Sequence, residues 1–440
     1  MRGMSDLRTR RGPRPTPVAA TLTIDRLAAG GDGVGRVGAK VAFVPRTAPG
    51  DEVEVQVVEE RRTWCRARVV RLLQAGPDRA EPRCRLFGTC GGCAWQHLGY
   101  AAQLAAKRAI VEDALRRIGR LEPPAVQPPL ASPLAYGYRH RARLHAASNG
   151  GATVFGFYRP GSHDLIPTEH CPVLHPALNV MLAGLARVGR LLPQAAARWR
   201  AVRLDTDWDG ASVRLLVLGT SGRAQMSAAA ARDLQDTASA NGVRLLLDAS
   251  AGEPLALGPG ASALWTTGES FTQVNLRQNQ ALVDLAIALA APAPGEEVLD
   301  LCCGLGNLAL PAAARGCRMT GVDLDAGAIA QARDNTRRLG LPATFIAEDA
   351  AAAVRELAGA GRRFPLVLLN PPRTGAREAV AVIPALSPER IVVVSCDPAT
   401  LARDAAALAA SGYSLRTVRP IDLFPQTAHV ETIALFGRNG

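Results

Sequence analysis

From about residue 280 the apolar positions fall in short unbroken runs, V-L-D-L, M-T-G-V-D-L, A-T-F-I-A, L-V-L-L-N and R-I-V-V-V-S, with helix-like stretches between them. Runs without polar alternation belong to strands covered on both faces, so their regular alternation with helices predicts a doubly wound parallel sheet. Two further strand-like runs, S-L-R-T-V-R-P-I-D-L-F and V-E-T-I-A-L-F, are separated only by P-Q-T-A-H. That spacer is too short for a helical crossover, so the last pair must be an antiparallel hairpin. Upstream, from Ala19 to about Leu73, the runs T-L-T-I, K-V-A-F-V, E-V-E-V-Q-V-V and C-R-A-R-V-V-R-L are punctuated by G-G-D-G-V-G and A-P-G-D turns, a pattern that predicts a small β-barrel. Ala101 to Arg120 reads as one amphipathic helix with Leu104, Ile110, Val111, Leu115 and Ile118 at helical spacing, stopped by Pro123 and Pro124. The stretch from about 125 to 265 mixes strand-like V-R-L-L-V-L and R-L-L-L-D with helical V-M-L-A-G-L-A-R-V and reads only as α+β.

A chain of 440 residues is too long for one core. The expected division is a basic disordered tail at 1–16, the barrel at 17–74, a central cysteine-bearing domain at 75–265 and the parallel-sheet domain at 266–440, with the 101–120 helix available to pack on the last. The start of the chain lacks an apolar leader core, and no run of about 18 uncharged apolar residues could span a bilayer, so the expectation is a cytoplasmic protein without a membrane partner. Nine cysteines, an odd number in such a chain, point to free thiols or metal ligands rather than a disulfide framework. The net charge of +12 suggests a polyanionic partner. Arg8, Arg10, Arg11 and Arg14, then Arg61, Arg62, Arg66, Arg68 and Arg71, then Arg139, Arg141 and Arg143 could each neutralise successive phosphates, although any one cluster is also compatible with a solvated surface. Lys40 and Lys107 are the only lysines.

Five parallel strands closed by a hairpin resemble the class I S-adenosylmethionine (SAM) methyltransferases rather than the six-stranded dinucleotide fold. In V-L-D-L-C-C-G-L-G-N, Asp300 and Cys302 enter a turn whose Gly304 and Gly306 let the backbone approach a ligand, with Asn307 just beyond. Ala309 replaces the third glycine of the dinucleotide fingerprint, which disfavours phosphate cradling. Asp323 is positioned for ribose hydroxyls and Asp349 for adenine, while each acid alone could equally be a helix cap. Asn370 begins N-P-P-R at the end of strand four, where prolines stiffen a loop that could bind a substrate or cofactor edge. Cys84, Cys90 and Cys93 have metal-ligand spacing that suits zinc and iron–sulfur alike.

Cys396 closes strand five, and the topology returns Glu431 to the same edge. A lone cysteine is commonly just buried. A thiol beside a carboxylate, however, suits methylation of a pyrimidine C5, which becomes nucleophilic only after a thiolate adds to C6 and then needs a base to take the C5 proton.

The runs F-T-Q-V-N, D-L-C-C-G-L-G-N, N-P-P-R, S-C-D-P-A-T-L-A-R-D and D-L-F-P-Q-T-A-H-V-E together resemble the RNA uracil-5-methyltransferase family over residues 17–440, and C-x5-C-G-G-C with a later Cys171 tilts the likeness towards members acting on 23S ribosomal RNA. The barrel resembles the TRAM module, an OB-like RNA-binding fold, through Gly30, Gly31, Gly33, Gly35, Pro45, Gly50 and Asp51. The resemblance implies an α/β, Rossmann-like SAM methyltransferase domain with an amino-terminal TRAM barrel and a central α+β iron–sulfur domain. It implies Cys396 as nucleophile, Glu431 as base, Gln273, Asp323 and Asn370 as cofactor contacts, and Cys84, Cys90, Cys93 and Cys171 as ligands of a [4Fe-4S] cluster. The chain departs from the family at Cys302 (commonly aromatic), Asp323 (Glu), Asn370 (Asp) and Asp397 (Asn). The expected partner is a uridine flipped out of 23S rRNA, handled by a monomer. Another rRNA or tRNA uridine, cytosine-5 methylation, and an RNA-binding module with a vestigial methyltransferase domain are the alternatives.

Overall fold

A computed structural model describes residues 19–122, 125–191, 199–219, 222–247 and 252–439. The tail arginines Arg8 to Arg14, the helix-stopping Pro123 and Pro124, and Asp248 of R-L-L-L-D lie outside them. The chain forms two compact units, one ending at Ala80 and one starting at Glu81.

The first unit is a six-stranded sheet of β1 (Ala19–Thr23), β2 (Arg26–Leu27), β3 (Gly33–Val37), β4 (Lys40–Val44), β5 (Glu52–Glu60) and β6 (Trp64–Gln74), in the order β1-β5-β6-β4-β3-β2. Alternate residues Val53, Val55, Cys65 and Ala67 turn inward with Leu22, Ile24, Ala42 and Val44 to form its core. Gly35 is obligatory because a Cβ there would stand 2.4 Å from the Thr23 carbonyl oxygen. Arg79 and the Ala48 amide close the barrel around buried Asp51.

The second unit opens with the cysteine-rich turns and α1 (Tyr100–Arg117), which packs on α9 (Pro398–Ala410) and β21 (Tyr413–Ile421). Gly119, just past α1, lies so close to the Ala402 carbonyl that a Cβ would fall 2.9 Å from it. The buried stripe of α1 differs from its hydrophobic pattern. It comprises Gln103, Lys107, Ile110, Val111, Ala114 and Leu115, while Ile118 is 52% exposed. Two polar residues thus occupy the inner face, for reasons that lie in the loop they meet.

A mostly antiparallel sheet follows, built from β7 (Arg141–Asn149), β8 (Ala152–Tyr158), β9 (Leu165–Pro167), β10 (Trp199–Thr206), β11 (Ser212–Gly219) and β12 (Gly222–Arg223), in the order β12-β11-β10-β7-β8-β9. Strand β13 (Arg244–Leu246) runs parallel to β11. Helices α2 (Pro176–Leu191) and α3 (Ala228–Ala240) pack with it around Leu144, Leu178, Met181, Val202, Leu215 and Leu234. The short pair β14 (Leu255–Ala256) and β15 (Trp265–Thr266) leads onward to α4 (Leu276–Ala290).

The last sheet carries β16 (Glu297–Leu301), β17 (Arg318–Asp323), β18 (Ala343–Ala347), β19 (Leu366–Leu369), β20 (Arg390–Ser395), β21 and β22 (Glu431–Arg438), in the order β18-β17-β16-β19-β20-β22-β21. Strands β16 to β20 are parallel. The final strand inserts antiparallel between β20 and β21, as the short P-Q-T-A-H spacer requires. Helices α5 (Ala309–Ala313), α6 (Ala326–Leu339), α7 (Ala350–Gly359), α8 (Arg377–Val382) and α9 fill the crossovers. Leu366, Val367, Leu368 and Leu369 are all fully buried, which explains the unbroken apolar run. In such a sheet ligands sit beyond the carboxyl ends of the strands, where the order reverses, here between β16 and β19.

Candidate active site

At the carboxyl end of β16 the chain turns through three left-handed residues, Cys302 (φ +60°), Gly304 (+56°) and Gly306 (+96°). Glycine enters this region freely, and Cys302 does so at a steric cost. The turn is tied to the next strand, because the Gly304 amide donates to Asp323 Oδ2 at 2.8 Å while Asp323 Oδ1 accepts from the Asp325 amide at 2.9 Å. Asn307 exchanges amide hydrogen bonds with Asn279 of α4 at 2.9 and 3.0 Å.

Above this turn opens a cavity of about 940 Å³. Gln273, Cys302, Gly304, Asn307, Asp323, Asp349, Asn370, Cys396 and Glu431 all line it. Two residues expected there are not among the lining side chains. Gly306 faces Leu310, and Asp300 is fully buried. Burial drives the Asp300 carboxyl well above its usual range, and the nearby Asp323 charge pushes the same way. Asp349 has a second task, since its Oδ1 accepts from the Ala351 and Ala352 amides at 3.0 Å and caps α7. Burial, reinforced by Asp323, Asp300 and Asp349, pushes the Cys302 thiol up to about 12.

At the other end of the cavity, Ser395 pairs with Thr432 across β20 and β22, which sets Cys396 beside Glu431. Glu431 is buried, and desolvation lifts its carboxyl to about 8 against a pull downward from Arg373. Burial and then the Glu431 charge raise the Cys396 thiol, while Arg373 again opposes them. Arg373 therefore faces both groups, and one of its Nη atoms lies 3.3 Å from the His429 ring nitrogens. Its loop is pinned to α9, where Arg403 donates to the Thr374 carbonyl at 3.2 Å and the Ala376 amide donates to Asp404 at 3.3 Å. Arg373, Phe424 and His429 also line the cavity. The sequence reading did not single them out, although N-P-P-R and F-P-Q-T-A-H contain them.

The second candidate site gathers Cys84, Cys90, Cys93 and Cys171. Burial raises the Cys93 thiol to about 11 and the Cys171 thiol to about 12, and the charges of the neighbouring cysteines add to both shifts. The Gly92 amide points at Cys90 Sγ from 3.4 Å, and Gln96 supports Cys84 through its backbone amide at 3.0 Å. Asn179 clamps Cys171 by accepting from its amide at 2.8 Å and donating to its carbonyl at 3.1 Å. Four thiols that repel one another as thiolates are the donor set a soft cation neutralises, so the residues fit a metal centre in kind. Among the described residues no group of three or more His, Cys, Asp or Glu is drawn tightly enough to hold a metal ion.

A sheet with a reversed final hairpin, a glycine turn over a large cavity and an acid at the end of the second strand define a class I SAM-dependent methyltransferase. Residues 298–373 match the methyltransferase domain family and residues 20–70 the TRAM domain family. Over 96% of its length the chain is 38% identical to the 23S rRNA (uracil(1939)-C(5))-methyltransferase RlmD of Thiobacillus denitrificans, of which it covers 100%. The RlmD of Azoarcus sp. is 37% identical over 95% of this chain and 99% of its own. Among solved structures, Pyrococcus abyssi tRNA (uracil-54, C5)-methyltransferase in complex with S-adenosyl-L-homocysteine superposes with a TM-score of 0.68, at 25% identity, over 94% of this chain and 99% of that one. The chain belongs to the RNA uracil-C5-methyltransferase family and is an enzyme. Among the described residues no helix is long and apolar enough to cross a membrane.

Proposed function

We propose that the protein methylates C5 of a uridine in 23S rRNA, with Cys396 as the nucleophile and Glu431 as the general base. The observation that carries this is the pairing of β20 with β22, which sets a thiol against a buried carboxylate at the rim of the cavity. SAM, when bound, supplies an electrophilic methyl group at the glycine-turn end, where Gln273, Asp323 and Asn370 can hold it. Cys396 adds to C6 of the ring, converting C5 into a carbon nucleophile, and leaves again once the C5 proton is gone. Glu431 takes that proton. Its raised affinity for protons suits a group that must accept one near neutral pH. Arg373 can hold the thiolate before attack. Both faces of the base must be reached, so the uridine is flipped from its stack. The barrel and the arginine clusters would hold the RNA by its phosphates, and the reading takes the protein to act as a monomer.

Cys84, Cys90, Cys93 and Cys171 would hold a [4Fe-4S] cluster. Its part would be structural, since methyl transfer from SAM moves no electrons from the protein. The choice of 23S rRNA follows the relatives' names; the tRNA enzyme with the same architecture makes tRNA the second candidate. Mapping 5-methyluridine in rRNA and tRNA from cells lacking the protein tests the assignment. One 23S rRNA uridine should lose its methyl group and regain it on complementation. Loss of a tRNA mark alone, or of 5-methylcytosine, would overturn the assignment.

A further inference from the structure

Gln426 has φ +68°, a left-handed conformation that side chains other than Gly, Asn and Asp seldom adopt. Such backbones persist where the surroundings over-determine them, and here they do. The Gln426 carbonyl accepts from the backbone amides of both Ala94 (3.1 Å) and Trp95 (3.0 Å). Its own amide donates to Gln103 Oε1 at 2.9 Å, and Gln103 Nε2 donates back to Gln426 Oε1 at 3.0 Å. Gln426 Nε2 reaches the Ala135 carbonyl at 3.3 Å. Both glutamines are buried.

The residues before Gln426 are held in the same way. Tyr138 donates to the Pro425 carbonyl at 2.9 Å, Lys107 to that of Phe424 at 3.1 Å, and Asn275 to that of Leu423 at 3.2 Å. Lys107 also pairs with Asp422, both side chains being wholly buried. On one side this knot touches Ala94 and Trp95, which directly follow Cys93. On the other it leads to His429 and Glu431 in the cavity wall.

We propose that Gln426 and Gln103 are positioning residues for the base: their knot fixes where Glu431 stands and ties it to the cysteine-bearing segment. The inference rests on the reading of Glu431 as the base. Glu431 opens β22 opposite Ile421, one step from the Ser395–Thr432 pair, so the knot bears on the loop that delivers the base into the sheet. Cys396, by contrast, leaves β20 directly into α9 and, among the described residues, has no bond to the knot. Loosening the knot should therefore spare thiol addition and methyl transfer and slow only removal of the C5 proton. A carboxylate displaced by about 1 Å loses on the order of 100-fold in rate.

The test uses the full-length, cluster-loaded protein as Gln426→Gly, which keeps the backbone bonds and relieves the left-handed strain, and as Gln103→Leu. Each is mixed with SAM and an unmodified 23S rRNA transcript carrying tritium at uridine C5. The readouts are covalent protein–RNA complex on denaturing gels, tritium release, SAM affinity and melting temperature, with Glu431→Gln in parallel. The expected result is unchanged SAM affinity, a covalent complex at least about 10-fold more abundant, and tritium release slowed about 10- to 100-fold. Normal tritium release overturns the proposal, and so does joint loss of SAM binding and complex formation, which would make the knot merely structural. If Glu431→Gln traps the complex and the glutamine variants do not, the inference fails while the base assignment stands. If Glu431→Gln traps nothing, the base assignment fails and takes the inference with it.

Discussion

Cys396 stands alone at the end of a buried strand, whereas Cys84, Cys90, Cys93 and Cys171 come together from a turn-rich segment and a distant loop. Burial raises thiols in both places. At Cys396 the next influences oppose each other, because Glu431 pushes the thiol up and Arg373 pulls it down. In the group of cysteines, neighbouring thiols push Cys93 and Cys171 further up, and among the described residues no carboxylate joins the set. The same side chain thus meets a carboxylate and a guanidinium in one place and other thiols in the other.

Removing the lone thiol breaks the comparison most sharply. Cys396→Ala should lower methylation by at least about 10⁴-fold while SAM binding and melting stay unchanged, as labelled-methyl transfer and calorimetry would record. Cys93→Ser should do the reverse. On the proposed reading of these four cysteines as cluster ligands, bound iron, its visible absorbance and part of the folding stability should go before SAM affinity does.

Lys107→Met tests whether the buried base loop depends on charge pairing. Stranding Asp422 should cost about 3–5 kcal/mol in denaturant unfolding, and the double change Lys107→Met with Asp422→Leu should recover most of it.

Glu431 makes a claim about pH. Its folded carboxyl titrates near 8 against 4.5 ordinarily, so between these values the unfolded chain has released a proton that the folded chain keeps. The contribution is full below 4.5 and fades as pH climbs towards 8, so the ligand-free protein should melt lower as pH rises through that window. Glu431→Gln should flatten this slope and be the more stable protein at pH 8, by a few kcal/mol to order of magnitude. A smaller effect tests whether Asp349 does more than cap α7. Asp349→Ala should cost about 1 kcal/mol through the lost cap of α7, and a changed SAM affinity beyond that would reveal contact with the cofactor.

The parallel sheet was legible because strands covered on both faces leave no polar alternation, as in Leu366 to Leu369. The meeting of Cys396 with Glu431 followed from topology, since a short spacer forces the last strand back antiparallel. The polar contacts were not legible. Gln103 and Gln426 bond across 323 positions and leave no periodicity, and on α1 Gln103 and Lys107 sit where a hydrophobic stripe would be expected. Asp300 reads as a ligand-facing acid until its burial behind the turn is seen. Cys171 has no local spacing to join it to the other three cysteines, and only family likeness brought it in.

The most direct test is to replace the target uridine with 5-fluorouridine, which has no C5 proton to lose, and to incubate this RNA with SAM and protein before digestion and mass spectrometry. A methylated fluorouridine attached through sulfur to the peptide containing Cys396 is the predicted result. No covalent adduct, or one on any other residue, would contradict it.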